Sequence, residues 1–375
     1  MFQRKWVSAA VLTLLSGAAA AQSSVTIYGR VDTGIVTGKF DSTGNRTLVQ
    51  SGPYTASRLG FRGTEDLGGG LRASFGLEAG LNIDTGTGGA TGGGLNFNRG
   101  SQVALASDSW GEFALGKMYM PTFWVYLAAD PGIGGLGLGS MGASIMQQHT
   151  ALTGKTGWGG FYDNTVRYRT PNMSGLKGEI AYSLGSENAS NSAAKNDGKT
   201  AGLNVQYEQG AMYLGGAYQK YTASIAGTTA GTYIGDANQT TWMLAGRYKI
   251  APATVGVNYG RTKNSTACQA TGNAVGCDMS TFAINSRFDL TGQSSMDLSW
   301  SQLKADSGNL SGAKANTLAI GYTYYLSKRT WVYGQAVKMN NNSLSKWGLN
   351  GGLGIANDTK GLSPQAFSIG VLHMF

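Results

Sequence analysis

Histidine is almost missing from this chain: His149 and His373 are the only two, and neither lies near a recognisable nucleophile motif. Catalysis built on a histidine base has little to start from. Cysteine is as scarce, with Cys268 and Cys277 alone. Two thiols, with both histidines far off in sequence, make a poor zinc site. Charge is thin. Asp, Glu, Lys and Arg make up 13% of the residues, against about 25% in an ordinary soluble domain. Past the N-terminus no run approaches the roughly 20 apolar residues of a membrane-spanning helix. The six prolines, Pro53, Pro121, Pro131, Pro171, Pro252 and Pro364, all fall in connections or at the ends of extended segments, where a lost N–H breaks no ladder. Gly132–Gly137, GIGGLG, matches a dinucleotide fingerprint in spacing only. It follows AADP rather than an apolar strand and opens no amphipathic helix. The adjacent acids Glu65 and Asp66 sit at a turn and read as solvated. Basic residues outnumber acidic ones, 29 to 20, but the arginines are spread singly rather than gathered into a basic patch. No cofactor, metal site, enzymatic activity or nucleic-acid partner is expected.

What is present is glycine, 59 of 375 residues, and alternation. The first 21 residues come apart from the rest: Arg4 and Lys5 precede the apolar run Val7–Leu15, and Ala19-Ala20-Ala21 offers small residues for cleavage. That is the pattern of a secretory signal peptide, residues 1–21, rather than of a buried N-terminal helix. An exported chain meets an oxidising compartment. Cys268 and Cys277, with eight residues between them in a Gly- and Asn-rich stretch, are then expected as a loop disulfide, with metal binding the weaker reading. Closing so small a loop is worth roughly 2–3 kcal/mol in the chain-entropy picture.

From residue 24 onward, sixteen extended segments alternate in polarity. In GLNVQYE, Leu203, Val205 and Tyr207 oppose Asn204 and Gln206; in NTLAIGYTYY, Leu318, Ile320, Tyr322 and Tyr324 oppose Thr317, Ala319, Gly321 and Thr323. Aromatic residues gather near segment ends, as at Tyr168, Trp242, Tyr248, Trp300 and Tyr324. Connections alternate between short (EDLGG, SDSWG, PNMSG, EQG, IAPA, LTGQ, LSKR) and long. Short turns at one end, long loops at the other and an even strand count are the requirements of an up-and-down membrane barrel. The fold expected is all-β, a 16-stranded antiparallel transmembrane β-barrel over residues 22–375. The terminal segment AFSIGVLHMF, ending on Phe375, keeps the alternation to the last residue.

Inside such a barrel the arginines gain meaning. Arg30 shares its phase with Thr26, Tyr28 and Asp32; Arg58 shares it with Arg62; Arg167 shares it with Arg169. A charge facing lipid near the membrane midplane costs about 2–4 kcal/mol, so these side chains belong in the lumen. The 44 residues from Tyr119 to Tyr162 form an unusually long connection. Its start, YMPTFWVYLAADPGIGG, is apolar enough to bury, so this third loop is expected to fold into the lumen and narrow it.

Several stretches resemble the trimeric general porins of Gram-negative outer membranes, most closely their 16-stranded, anion-selective branch. They are SSVTIYGRVDTGI, SRLGFRGTEDLGGGLRASFGLEAGLNIDTG, FNRGSQVAL, GEFALGK, NTVRYRTPNMSGLKGEIAYSLG and VLHMF. The resemblance implies outer-membrane localisation, a homotrimer set among outer-membrane lipid and lipopolysaccharide, and passive diffusion of small anionic or neutral solutes. It also implies a third loop that forms an eyelet opposite a basic wall. By position that wall would be Arg30, Arg58 and Arg99, with Arg167 as a fourth member and Glu78 countering them. The family often carries PEFGG in the third loop, where this chain has PGIGG. Gly132 stands where the acid would be and Asp130 remains, so the eyelet is expected to be net positive. Two alternatives stay open: a substrate-specific channel for phosphate, carboxylates or sugar acids, and a barrel whose long loops act in adhesion.

Overall fold

The computed structural model describes residues 24–88, 94–132, 160–185, 196–226, 233–264, 278–307, 311–349 and 357–375. Residues 1–21, expected as a signal peptide, Cys268 and Cys277, expected as a disulfide, and most of the third loop lie outside the described residues.

Sixteen staves make one closed antiparallel sheet. They are β1 (Ser24–Lys39); β2, in two pieces (Asn45–Ser51 and Arg58–Gly68); β3 (Leu71–Asn82); β4 (Gly100–Ser107); β5 (Gly111–Tyr119); β6 (Phe161–Arg169); β7 (Leu176–Leu184); and β8 (Lys199–Gln209). The second half comprises β9 (Met212–Ala226), β10 (Tyr233–Ile250), β11 (Ala253–Asn264), β12 (Met279–Thr291), β13 (Ser294–Ala305), β14 (Lys314–Tyr325), β15 (Thr330–Asn341) and β16 (Gln365–Met374). Thr87–Gly88 is only a two-residue hairpin arm folded back on β3. β1 closes the ring by pairing with β16, from Arg30 opposite Met374 to Lys39 opposite Gln365. One helix, α1 (Pro121–Ala129), follows β5.

Each strand is two-faced, and the faces are reversed relative to a soluble protein. Leu318 is 59% exposed while its neighbour Thr317 is 3% exposed, and the same holds for Leu244 against Met243 and for Val205 against Asn204. The inward set is rich in polar residues such as Asn204, Gln219, Asn258, Asn285 and Gln335, all buried. The outward set is largely apolar, which a barrel tolerates only in hydrocarbon. The sheet has no free edge, because every strand is paired on both sides. At the β2–β3 turn, Gly68, Gly69 and Gly70 all have positive φ, 82°, 60° and 79°. A side chain is strained in that region, so the glycine triplet is what permits so sharp a reversal.

The wall is uneven. β4 to β7 are 8 or 9 residues long, whereas β9 and β10 run to 15 and 18.

The second strand is interrupted. The lower half of β1 pairs with Arg58–Gly68, and its upper half with Asn45–Ser51. Gly52 to Ser57 leave the sheet between these pieces and fold to the inside, where Tyr54, Thr55 and Ser57 are buried. The cause is Asp32, an inward carboxylate on β1 that captures the backbone N–H groups of Tyr54 and Thr55.

Candidate functional site

Three arginines converge on one carboxylate. Arg30 on β1 and Arg58 on β2 are direct cross-strand partners, an arrangement that repels unless countered. Glu78 on β3 supplies the counter-charge. Its Oε1 accepts from Arg99 Nε at 2.8 Å and lies 3.5 Å from Arg58 Nη1, while Oε2 accepts from the Tyr28 hydroxyl at 3.2 Å. Arg99, just before β4, also donates from Nη2 to the Tyr119 hydroxyl at 3.1 Å, and its guanidinium lies 5.0 Å from the Phe161 ring centre. Arg58 Nε donates to the Ala56 carbonyl at 3.3 Å, fastening it to the inward detour of β2. Three guanidinium groups around one carboxylate leave two positive charges in excess within this group.

Arg167 is not part of that group. It faces inward as expected and is buried, but it lies six residues further along β6 than Phe161, at the short-turn end. There its Nη2 donates to Glu112 Oε1 at 2.6 Å, and Arg169 pairs with Glu179 and lies near Glu112. Phase was readable from the sequence; height was not, because height follows from strand stagger. This lower tier is balanced, two arginines against two glutamates. It touches the third loop where Arg169 lies 5.1 Å from the Trp124 ring centre.

The described start of the third loop lies on the inner wall. α1 begins at Pro121, whose missing N–H costs nothing in a first turn. Its side chains are apolar nearly all round, as suits a helix enclosed on several sides. Phe123, Val125, Tyr126 and Ala129 pack with the inward residues Tyr213, Ala217, Met243, Ala245 and Ala283. Stacking of Phe123 on Tyr119, with ring centres 3.6 Å apart, links the helix back to the Arg99 group. Backbone carbonyls of α1 are taken up by wall side chains: Asn204 Nδ2 donates to Pro121 at 2.7 Å, and Arg247 Nη1 to Ala128 at 2.7 Å. The second contact places a cation at the helix C-terminus, where the helix dipole favours it.

A glycine lets the helix approach. A Cβ on Gly256 of β11 would stand 1.8 Å from the Ala129 carbonyl oxygen. Gly256→Val is therefore expected to lift the end of α1 off the wall. A β-branched residue suits the strand itself, so the barrel should persist at an overpacking cost of about 1–3 kcal/mol. Single-channel conductance should rise; a native conductance would contradict this seat.

Beyond α1 the chain meets the far wall. Asp130 Oδ1 accepts from Asn285 Nδ2 at 2.7 Å and from the Gly132 N–H at 3.2 Å. Burial, assisted by the nearby charge of Asp297, pushes the Asp130 carboxyl up to about 6. A Cβ on Gly132 would lie 2.6 Å from Asp297 Oδ1. The space where a loop acid would project is thus filled by an acid of β13, and a side chain at 132 must displace it. Asp297 is itself held by Arg287, with Nε and Nη2 contacts of 2.9 and 3.1 Å.

Arg287 also joins the two inward segments. Its Nη2 lies 3.2 Å from the Tyr54 hydroxyl, at the tip of the β2 detour. Tyr54 packs against Tyr333 and Trp331 of β15. Asp32 accepts from Tyr54 N at 2.8 Å, Thr55 N at 2.6 Å and the Tyr333 hydroxyl at 2.6 Å. Sequence reasoning passed over Asp32, Tyr54, Arg247, Arg287 and Asp297 as members of the site. The available signal was phase alone: isolated charges on inward faces, with no mark of which would meet.

A family model described as Gram-negative porin matches residues 8–344. Outer membrane porin protein 32 of Delftia acidovorans is 32% identical over 385 aligned residues, covering 99% of this chain and 100% of that protein. An outer membrane porin protein of Bordetella pertussis is 29% identical, over 87% of this chain and 91% of its own length. Among solved structures, the anion-selective porin from Comamonas acidovorans superposes with a TM-score of 0.80 at 26% identity, over 94% of this chain and all of that one.

Proposed function

The chain belongs to the Gram-negative porin family, and from that premise we propose that its outer-membrane channel passes anions in preference to cations. The barrel is a route for passive diffusion of small hydrophilic solutes. The single observation that carries the selectivity is the inward group Arg30, Arg58 and Arg99 gathered around Glu78, with the buried Asp32 beside Arg30 on β1. A lumen with low-dielectric walls focuses the field of such fixed charges on passing ions. The third loop completes the constriction from the other side, starting with α1 and Asp130.

Arg58 and Arg99 are already paired with Glu78. That favours an electrostatic filter over a site that clamps one solute. Conductance that rises without saturation as phosphate or a small carboxylate is added would agree; saturation would point to the substrate-specific alternative.

The reading is tested by reversal potentials across a planar bilayer under a potassium chloride gradient. Chloride should be the more permeant ion, and cation selectivity would overturn the proposal. The same measurement carries a pH dependence. With its carboxyl raised to about 6, Asp130 is charged at pH 7 and protonated at pH 5. Anion preference should therefore increase as pH falls through that range, and Asp130→Asn should flatten the change.

A homotrimer is part of the reading. A tilted transmembrane strand needs about 9–11 residues, and β4 has 8. The low wall of β4 to β7 is better covered by a neighbouring subunit than by lipid alone. Migration as an oligomer on unheated gels agrees with this, and a monomer under those conditions does not.

A further inference from the structure

Toward the short-turn end the lumen carries aromatic rings that the passage of small ions does not use. Trp124 of α1 lies with its ring centre 5.1 Å from the Arg169 guanidinium. Ring surface connects it to the arginine group: Arg99 lies 5.0 Å from Phe161, Tyr119 meets Phe161 at 3.9 Å, and Trp124 stands edge-on to Tyr119 at 5.6 Å. A second aromatic group stands on the facing wall. Tyr325 ends β14 and Trp331 lies at the start of β15, with ring centres 5.8 Å apart. Tyr54, 6.3 Å from Trp331, links them to Arg287 through its hydroxyl. β6, which carries Arg169, and β14 are eight staves apart in a ring of sixteen, so the two groups are on opposite sides. Arg169 and Tyr325 are each the last residue of their strand, so both groups lie at the short-turn end.

Charge does not explain this layer. Arg169 is matched by Glu179 and Glu112, and Arg287 by Asp297, so a passing anion gains little from its charge here. What the layer offers is ring surface. Trp124, Tyr325 and Trp331 are only half-buried; Trp124 lies within the barrel, and Tyr325 and Trp331 share the inward phase of the buried Thr323 and Tyr333, so their free surface faces the lumen. Aromatic rings pair with one another beyond what area alone returns, and a guanidinium over a ring adds to the attraction. A flat ring entering between the two groups would cover apolar surface on both walls. The lumen thus sorts by two properties in series. The Arg30 group acts on charge, and the layer beneath it acts on shape.

We propose that the channel discriminates among the anions it admits, holding aromatic carboxylates transiently by their rings between Trp124 on one wall and Trp331 with Tyr325 on the other. The carboxylate draws the solute to the arginines, and the ring delays it in the layer below. The proposal rests on the barrel being a channel but not on its chloride preference. Reversal potentials in potassium chloride test the Arg30 group alone, and solute effects at one fixed salt concentration test the rings, so the two can fail separately.

The test is single-channel recording in potassium chloride with benzoate, acetate or cyclohexanecarboxylate added as the potassium salt. Acetate has the charge without a ring, and cyclohexanecarboxylate has the charge and similar bulk without an aromatic face. Benzoate should reduce the chloride current in a saturating manner, and the other two should act far more weakly. Trp124→Leu and Trp331→Leu remove one aromatic face each while keeping an apolar side chain. Each should raise the half-blocking benzoate concentration about fivefold, the size of one lost ring pair. Unheated-gel migration shows which variants are folded, and the two substitutions lie on separate walls, so each is an independent test. Benzoate acting no more strongly than acetate or cyclohexanecarboxylate overturns the proposal. So does an undiminished benzoate block in both folded variants.

Discussion

Asp32→Ala is expected to open the channel and to destabilise the barrel by about 3–5 kcal/mol, the usual consequence of removing one partner from a buried charged contact. The carboxylate is fully buried and accepts from two backbone N–H groups and one phenol. Truncation leaves the N–H groups of Tyr54 and Thr55 and the Tyr333 hydroxyl without their acceptor, each at about 1–3 kcal/mol if nothing replaces it. The chain can relieve this in one way, by letting the Gly52–Ser57 detour swing into the lumen water. That frees Tyr54 from Arg287 and withdraws the Ala56 carbonyl from Arg58. Two results should therefore appear together: unfolding at lower urea concentration, and a larger or noisier single-channel current. Asp32→Asn is the useful companion, because it keeps one acceptor oxygen while losing the charge, and it should fall between. Native current and native stability in Asp32→Ala would show that the detour is held by its ring contacts with Tyr333 and Trp331 instead.

The sequence made the barrel readable because a stave is a local pattern. Leu203, Val205, Phe282, Ile284, Leu318 and Ile320 declare the outward face by period two alone, and all six are exposed in the structure. Arg30, Arg58, Arg99 and Glu78 followed from phase together with family resemblance, and they meet. Arg167 had the right phase and the wrong height, since strand stagger is a property of the closed sheet. The break in β2 was illegible for a related reason. Gly52-Pro53 looks like an ordinary turn, and only Asp32, some twenty residues earlier in the chain, makes the detour fold inward. Gly132 gives the same lesson. The missing loop acid was visible in PGIGG, but the replacement comes from Asp297, which lies 165 residues away in sequence. Apolar character did mark the start of the third loop as buried, and Pro121 was an unused sign that a helix begins there.

Arg58→Ala and Glu78→Gln should move ion selectivity in opposite directions. The group sets Arg30, Arg58 and Arg99 against Glu78, two positive charges in excess among these four residues. Removing Arg58 lowers the excess to one, and neutralising Glu78 raises it to three. At 4 Å and an effective dielectric of about 20, one charge acts on another with about 4 kcal/mol. Water and mobile ions screen most of this, but a residue of ~1.4 kcal/mol is already tenfold in partitioning. The chloride-to-potassium permeability ratio should therefore fall several-fold in Arg58→Ala and rise in Glu78→Gln. Both effects should be greatest near 0.01 M salt, where the Debye length is about 30 Å, and small near 1 M, where it is about 3 Å. Size works against charge in one of the variants. Arg58→Ala also removes a side chain from the constriction, so its conductance should increase even as its preference for chloride declines. Glu78→Gln keeps the side-chain volume and should leave conductance in concentrated salt nearly unchanged. A shift of the permeability ratio in the same direction for both variants would show that steric change rather than charge governs the filter. An unchanged ratio in both would place the filter elsewhere in the lumen.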